Sequence, residues 1–272
     1  MTGILYVVAT PLGNSRDITL RAIDVLSETD EWVVEDTRRA GRLRELLDLP
    51  QRPLNSYYDE VEEARTDALI KKLKQGLNLA LLSDSGTPLV ADPGYNLVRA
   101  AHEAGLDVRP VPGPSAPIAA LSASGFPSDE FISLGFLPKK SKGKRDRLLE
   151  VKYYQGTVIF FESPQRICET LRLLLNLFGN RTVFVGREMT KKFEQYLRGS
   201  LEEALAELED SQPRGEFTVL VHPGEEKYVN PEDYLAELLA RGLSMSDAAR
   251  IAAKFSSKPK SELYKLGLEL KD

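Results

Sequence analysis

The sequence predicts an α/β protein of two successive α/β units with a small helical end. Three observations support that class. Over the first half, short unbroken apolar runs alternate with stretches of helical apolar spacing, the pattern of βαβ units on a mostly parallel sheet. After a basic run at 139–147 the alternation starts afresh. Beyond His222 only helical spacing is left. The 272 residues, 42% hydrophobic and 28% charged, carry enough apolar side chain for more than one core. The composition shifts place domains at 1–120, 121–226 and 227–272.

Gly3 to Ala9 is a buried first strand by its continuous apolar run. Ile18, Ala22, Val25 and Leu26 mark an amphipathic helix after the loop Thr10-Pro11-Leu12-Gly13-Asn14. Glu31 to Glu35 is a second strand, and Thr37 is placed to cap a helix through Leu47. A helix spans Glu60 to Lys74, a strand Leu77 to Leu82, a helix Asn96 to Glu103 and a strand Leu106 to Pro110. Helical spacing then continues through Ser122. Gly125 to Leu137 reads as a transition, and the basic run after it as a solvated loop. In the second half, strands are expected at 157–161, 181–187, 193–198 and 216–221, with helices at 164–178 and 201–208. Three short helices close the chain at 231–240, 246–255 and 261–270, with Ser246 and Ser261 as caps and turns at Gly242 and Ser256-Ser257. They resemble a helix-turn-helix unit made basic by Arg250, Lys254, Lys258, Lys260 and Lys265, or equally a helical tail docked on the body.

The formal charge of −5 supplies no global field for nucleic acid, so any such attraction is local. The single Cys168 has no disulfide partner, which fits a reducing cytoplasm. His102 and His222 are far apart and have no cysteine neighbours, so no metal site is expected. No run reaches ~18 apolar residues and the N-terminus lacks a basic flank, so no membrane span or signal is expected. A P-loop, a G-x-G-x-x-G fingerprint, a G-x-S-x-G elbow and an H-E-x-x-H pair are all missing. What stands out is Ser83-Asp84-Ser85-Gly86-Thr87-Pro88-Leu89-Val90-Ala91-Asp92-Pro93-Gly94, between a strand and a helix. Open α/β sheets bind ligands at such loops, although an ordinary βα loop with Asp and Ser as turn formers and caps fits the same residues. Six further polar loops lie at predicted strand ends, at 10–14, 35–38, 112–116, 162–166, 187–191 and 213–216.

These loops carry a resemblance. Val8-Ala9-Thr10-Pro11-Leu12-Gly13-Asn14, Glu35-Asp36-Thr37-Arg38, the stretch 83–94 and Pro112-Gly113-Pro114-Ser115-Ala116 occur in this order. They are followed by Gly135-Phe136-Leu137-Pro138, Phe161-Glu162-Ser163-Pro164-Gln165-Arg166, Arg187-Glu188-Met189-Thr190-Lys191-Lys192 and Leu263-Tyr264-Lys265. The ordered set resembles the ribosomal RNA small subunit methyltransferase I family of the tetrapyrrole-methylase-like fold. The resemblance implies two α/β domains with a cleft between them, a homodimer, and S-adenosylmethionine as cofactor. It further implies 2′-O-methylation of a cytidine in the decoding region of 16S rRNA, within the small ribosomal subunit. A methylase of tetrapyrroles or another small acceptor, and a non-catalytic RNA-binding assembly factor, are the competing functions on the same fold.

On that resemblance, Glu35, Asp36, Glu188 and Lys191 are the catalytic candidates, because a ribose hydroxyl must lose its proton to attack a methyl group. Glu35 and Asp36 also suit pairing with Arg38 or capping of the next helix, and Glu188 suits pairing with Arg187 or Lys191. Asp84, Ser85, Gly86, Thr87, Ser115, Ala116, Phe161 and Gly215 are the cofactor candidates, with an Asx-turn as the competing role of Asp84. Arg38, Lys139, Lys140, Lys144, Arg145, Arg166 and Arg187 are the candidate RNA contacts. One departure stands out: after Asn55, where the family commonly carries histidines, this chain has none. Tyr58, Asp59 or Glu60 would then have to replace any acid–base role held there.

Overall fold

Strands that are apolar on both sides need cover on both faces, and the first unit supplies it. The computed structural model describes residues 2–58, 62–211, 213–224, 230–256 and 258–269. The chain divides into two units, 1–119 with 188–194, and 120–187 with 195–272. The segment 188–194 therefore belongs with the first unit, although 121–226 was expected to form one domain.

In the first unit the order is β1 (Ile4–Val8), α1 (Leu20–Glu28), β2 (Glu31–Val34), α2 (Thr37–Leu46), β3 (Leu54–Ser56) and α3 (Glu62–Lys74). Then come β4 (Leu79–Leu82), α4 (Tyr95–Glu103), β5 (Asp107–Val111) and α5 (Ala116–Ser124), within which the boundary between units falls. The strands line up as β3-β2-β4-β1-β5, and every pairing is parallel. Period-two alternation splits the core. Leu79 and Leu81 of β4 pack with Leu69, Leu73, Leu97 and Ala101 of α3 and α4. Ala80 and Leu82 pack with Ala22, Leu26 and Ala40 of α1 and α2, beside the fully buried Trp32. The helices after β1 and β4, neighbouring strands, thus cover opposite faces. That reversal opens a crevice at the strands' C-terminal ends, where open α/β sheets bind ligands.

Two local details differ from expectation. Asp36, not Thr37, caps α2, because its side chain accepts the Arg38 N–H. The edge strand β3 has only three residues, too few to show alternation in the sequence.

The second unit runs β6 (Phe131–Phe136), α6 (Ser141–Leu149), β7 (Thr157–Glu162), α7 (Ile167–Phe178), β8 (Thr182–Arg187), β9 (Gln195–Ser200), α8 (Leu201–Asp210) and β10 (Phe217–Val221). Its sheet order is β6-β7-β10-β8-β9. Only β6 and β7 are parallel; β10 runs antiparallel to both its neighbours and β9 antiparallel to β8. The helices α9 (Pro231–Ala240), α10 (Met245–Ala252) and α11 (Lys260–Glu269) share this unit's core through Tyr234, Leu235, Leu238, Ile251 and Leu263. The cap of α10 is Ser244, not Ser246, and Ser261 lies inside α11. Ser257, Asp59 and Glu60 lie outside the described residues.

The basic run forms α6, with Lys144 turned inward and fully buried. Lys144 was expected to contact RNA, and its burial corrects that. Its ammonium donates to Thr170 Oγ1 at 3.0 Å and pairs with Glu169 at 3.3 Å. No described helix is long and apolar enough to cross a membrane. Among the described residues, no group of three or more His, Cys, Asp or Glu side chains is arranged to hold a metal.

Candidate active site

At the C-terminal end of the first sheet, four loops are stitched together by short polar side chains. Thr10 and Gly86 form a two-way backbone bridge, with N···O distances of 2.8 and 3.1 Å. Ser85 Oγ donates to Leu12 O at 3.2 Å, and Thr87 Oγ1 donates to Pro114 O at 2.9 Å. The stretches 10–14, 83–88 and 112–116 therefore converge, as expected of a binding groove. Glycine is required where they approach: a Cβ on Gly113 would lie 2.9 Å from Ala9 Cβ. Gly86 has φ +87°, a conformation costly for any side-chain-bearing residue. Leu89 and Ala91 also sit at positive φ, 71° and 67°, so this loop stores strain of about 1–3 kcal/mol per residue. Glu62, on α3, accepts the Gly94 N–H at 2.7 Å and holds the loop's far end.

The fourth loop, after β2, is tied in by Asp84. One carboxylate oxygen accepts the Asp36 N–H at 3.0 Å, and the other lies 3.3 Å from Arg39 Nε. Burial pushes the Asp84 carboxyl up from its ordinary value, against the pull of the Asp36 N–H and the Arg39 guanidinium. Thr10, Arg39, Ala40, Ser83 and Asp84 line a small pocket of about 50 Å³ here. Asp36 is committed elsewhere. It caps α2 and forms a two-pronged pair with Arg38 at 2.8 and 3.2 Å, which holds its carboxyl far below the usual range. Glu35, half-buried, precedes it.

The segment 188–194 lies against the first of these loops. Thr190 Oγ1 accepts the Asn14 N–H at 3.1 Å. Lys191 crosses Gly13 so closely that a Cβ there would stand 2.2 Å from Lys191 Cγ. Lys191 Nζ is 2.9 Å from Glu188 Oε1. Glu188 and Thr190 have φ of +48° and +67°, the second a costly geometry for a β-branched residue. Backbone strain of this kind is a mark of functional segments. Among the expected residues, the structure thus gathers Asp84, Ser85, Gly86, Thr87, Ser115, Ala116, Glu188 and Lys191 at one edge of the first sheet.

The second unit carries the rest. Phe161, near the end of β7, packs against Phe136 with ring centroids 5.4 Å apart. Gly215 has φ +84° beside the start of β10. Arg166 is bound to the buried Glu162 at 2.5 Å and donates to Leu137 O. Arg187 donates to Arg214 O at 2.7 Å. Lys139 and Lys140 are exposed at the start of α6, and Arg145 is partly exposed beside Asp146. The sequence did not single out Arg39, Glu62 or Gly13. Gly13 sat inside a quoted motif, but the side chain that needs its missing Cβ lies far along the chain.

Residues 4–205 match the family model of the Tetrapyrrole (Corrin/Porphyrin) Methylases, and residues 231–271 match the RsmI C-terminal HTH domain. Three curated relatives bear the name ribosomal RNA small subunit methyltransferase I. The Vibrio cholerae protein is 43% identical, covering 98% of this chain and 94% of its own length. The Mesorhizobium japonicum protein is 45% identical (98% and 92% covered), and the Escherichia coli O157:H7 protein 42% (98% and 95%). The chain belongs to the ribosomal RNA small subunit methyltransferase I family.

Members of this family carry the tetrapyrrole methylase fold, and solved structures agree with it. The methyltransferase CobJ superposes with a TM-score of 0.63 at 21% identity, covering 85% of this chain and 98% of its own. Diphthine synthase gives 0.64 at 14% identity, covering 97% and 100%. At such identities these two speak for the fold alone. In this chain the Gly13–Lys191 contact fixes a charged pair beside the loop after β1.

Proposed function

We propose that this chain transfers the methyl group of S-adenosylmethionine to the ribose 2′-hydroxyl of a cytidine in the decoding region of 16S rRNA. The small ribosomal subunit is the substrate, and the cytoplasm, where subunits are assembled, is the site of action. One observation carries the proposal: the loops 10–14, 83–88 and 112–116 meet at one sheet edge in a chain 39–45% identical to proteins named for this activity.

The groove's chemistry suits an amino-acid sulfonium linked to adenosine. Such a cofactor needs an acceptor for its ammonium group, donors for its carboxylate, and backbone without side chains near its path. Asp84 is an anionic acceptor with restricted solvent access. Ser115 and Ala116 stand at the start of α5, where the helix dipole favours a carboxylate. Gly86 and Gly113 let the loops pack against Leu12 and Ala9 more closely than a Cβ would allow, which sets the groove's walls. Asp84, Ser85, Gly86, Thr87, Ser115 and Ala116 would hold the cofactor in the first unit.

When bound, the cofactor supplies a methyl group already activated for in-line displacement, so the protein's task is mainly alignment. Ser85 and Thr87 spend their protons on Leu12 O and Pro114 O, which locks the loops in register and leaves both hydroxyl oxygens as acceptors. Glu188 receives the proton of the attacking 2′-hydroxyl at its carboxylate, and Lys191 steadies the charge that develops on the oxygen. Asp36 keeps its cap and its pair with Arg38, which orients Arg38, 85% exposed, toward RNA phosphate. The homodimer implied by the resemblance belongs to the same proposal, and sedimentation of the purified chain reads it directly.

The test is transfer of labelled methyl from S-adenosylmethionine to small subunits from a strain lacking the modification, with the modified nucleotide mapped. A labelled cytidine ribose in the decoding region is expected. Label on a base, or on a porphyrin-type acceptor in place of RNA, would overturn the proposal.

A further inference from the structure

The helical end holds six basic residues in 231–269, and most of them are consumed by internal ion pairs. Arg250 and Lys254 both reach Glu150 on α6, the latter at 2.6 Å. Lys258 pairs with Glu232 at 2.8 Å, and Arg241 with Glu237 at 2.9 Å. The first three act as struts between elements, while the Arg241–Glu237 pair lies within the end of α9. Lys260 and Lys265 differ. Both are exposed, and among the described residues neither has a carboxylate partner within ion-pair distance. Together with Ser246, Pro259, Ser261 and Tyr264 they line an open groove of about 660 Å³, where α11 begins beside the first turn of α10. Lys260 Nζ donates to Ser246 Oγ at 3.0 Å, which fixes its ammonium at the rim.

The groove also continues the basic edge of α6. Lys142 Nζ lies 3.3 Å from Asp247 Oδ2, in the same first turn of α10 that Lys260 reaches through Ser246. Lys139 and Lys140 lie just ahead of Lys142 on the exposed start of α6. One band of cations therefore runs from the start of α6, past the first turn of α10, to α11. Tyr264 stands in that band, 39% exposed, next to Lys265.

We propose that this groove is a second RNA-binding site, which holds the backbone of a single-stranded or looped segment of the substrate RNA. Lys260 and Lys265 neutralise two phosphates, Ser246 and Ser261 offer hydroxyls to phosphate or ribose, and one base stacks on Tyr264. The volume suits one nucleotide unit, within the ~300–1,000 Å³ of small-ligand clefts. An acidic peptide would satisfy the lysines, but it gives the exposed aromatic ring nothing to stack on. The proposal rests on the RNA-methylation function above and adds an anchoring site to it.

The experiment uses the full chain and two probes, a fluorescein-labelled 20-nucleotide single-stranded RNA and unmodified small subunits. Lys260→Gln with Lys265→Gln is expected to weaken RNA binding about tenfold and to flatten the log K against log salt slope by about 1.4, the share of two phosphates. Tyr264→Ala is expected to weaken binding at least about fivefold with the slope unchanged, because stacking releases no counterions. With both, KM for subunits rises while kcat at saturation and the melting temperature hold. A double variant with wild-type affinity and slope would overturn the groove alone, provided the parent chain binds and methylates. Displacement of the RNA by polyglutamate in the parent but not in the double variant would assign the groove to an acidic protein segment and overturn it likewise. A parent chain that binds RNA but methylates none would sink the proposed function and leave the groove standing.

Discussion

Gly13 shows how little separates a working site from a blocked one. Its Cα lies under the Lys191 side chain, and a methyl group there would meet Lys191 Cγ at 2.2 Å. Gly13→Ala must therefore swing Lys191 off the loop and break its 2.9 Å pair with Glu188. We expect a loss of about 10²-fold in methyl transfer, the usual consequence of a catalytic group displaced by about 1 Å, with little change in melting temperature because the site is at the surface. Unaltered turnover in this variant would place the chemistry elsewhere. Glu188→Gln keeps the shape and removes the carboxylate proposed to take the proton. It should lower kcat about 10²- to 10⁴-fold while leaving cofactor affinity, read by calorimetry, at the parent value. At this scale the sequence was partly legible. Small polar residues at strand ends marked the loops that converge, although turn forming and helix capping account for the same residue types. The partners of those residues were not legible, since Asp84 to Arg39 and Lys191 to Gly13 are set by the fold and not by spacing.

Helix α6 marks where composition misleads. A run rich in Lys, Gly and Ser looks like a solvated loop, yet one lysine in it, Lys144, has its ammonium sealed against Thr170 and Glu169. Thr170 in turn donates to the buried Glu162 at 2.7 Å. Nothing in the local pattern distinguishes Lys144 from Lys142, because burial depends on α7 packing beneath it. Lys144→Ala removes one member of a buried ionic network and should destabilise the fold by about 3–5 kcal/mol. The same change should leave the salt slope of RNA binding unmoved, and thermal melts with binding isotherms check the two halves. Glu150, at the end of α6, gives a pH signature. Burial works to raise its pKa from the ordinary 4.5, but hydrogen bonds from Lys254, Arg250 and Arg147 prevail and bring it down to about 2. A carboxyl lowered on folding stabilises fully above its unfolded value and loses that contribution as the pH falls through the folded one. The attachment of α10 to α6 should hold down to about pH 4.5 and weaken progressively toward pH 2. Hydrogen exchange of the α10 amides would show the loss, and Glu150→Gln should show reduced protection already at neutral pH.

For the molecule as a whole, the issue is how a chain of net charge −5 binds a polyanion. Net charge alone would repel RNA, so attraction has to come from cations that carboxylates do not already neutralise. The ion pairs make that selection. Arg250, Lys254, Lys258 and Arg241 are spent on Glu150, Glu232 and Glu237, and Lys144 is buried. Lys139, Lys140, Lys260 and Lys265 stay exposed without a carboxylate partner among the described residues, and Arg38 is exposed although paired with Asp36. Counting these five as phosphate contacts predicts a slope of log K against log salt of about −3.5 for single-stranded RNA, at about −0.7 per contact. Were every basic residue named in the sequence for RNA or for the basic tail to bind phosphate, the slope would be about −8.4, well over twice as steep. Affinities measured from low to moderate salt therefore weigh the folded charge pattern against the linear one. A slope near the steeper value would mean that the internal pairs open on binding and that the struts of the helical end are themselves part of the RNA surface.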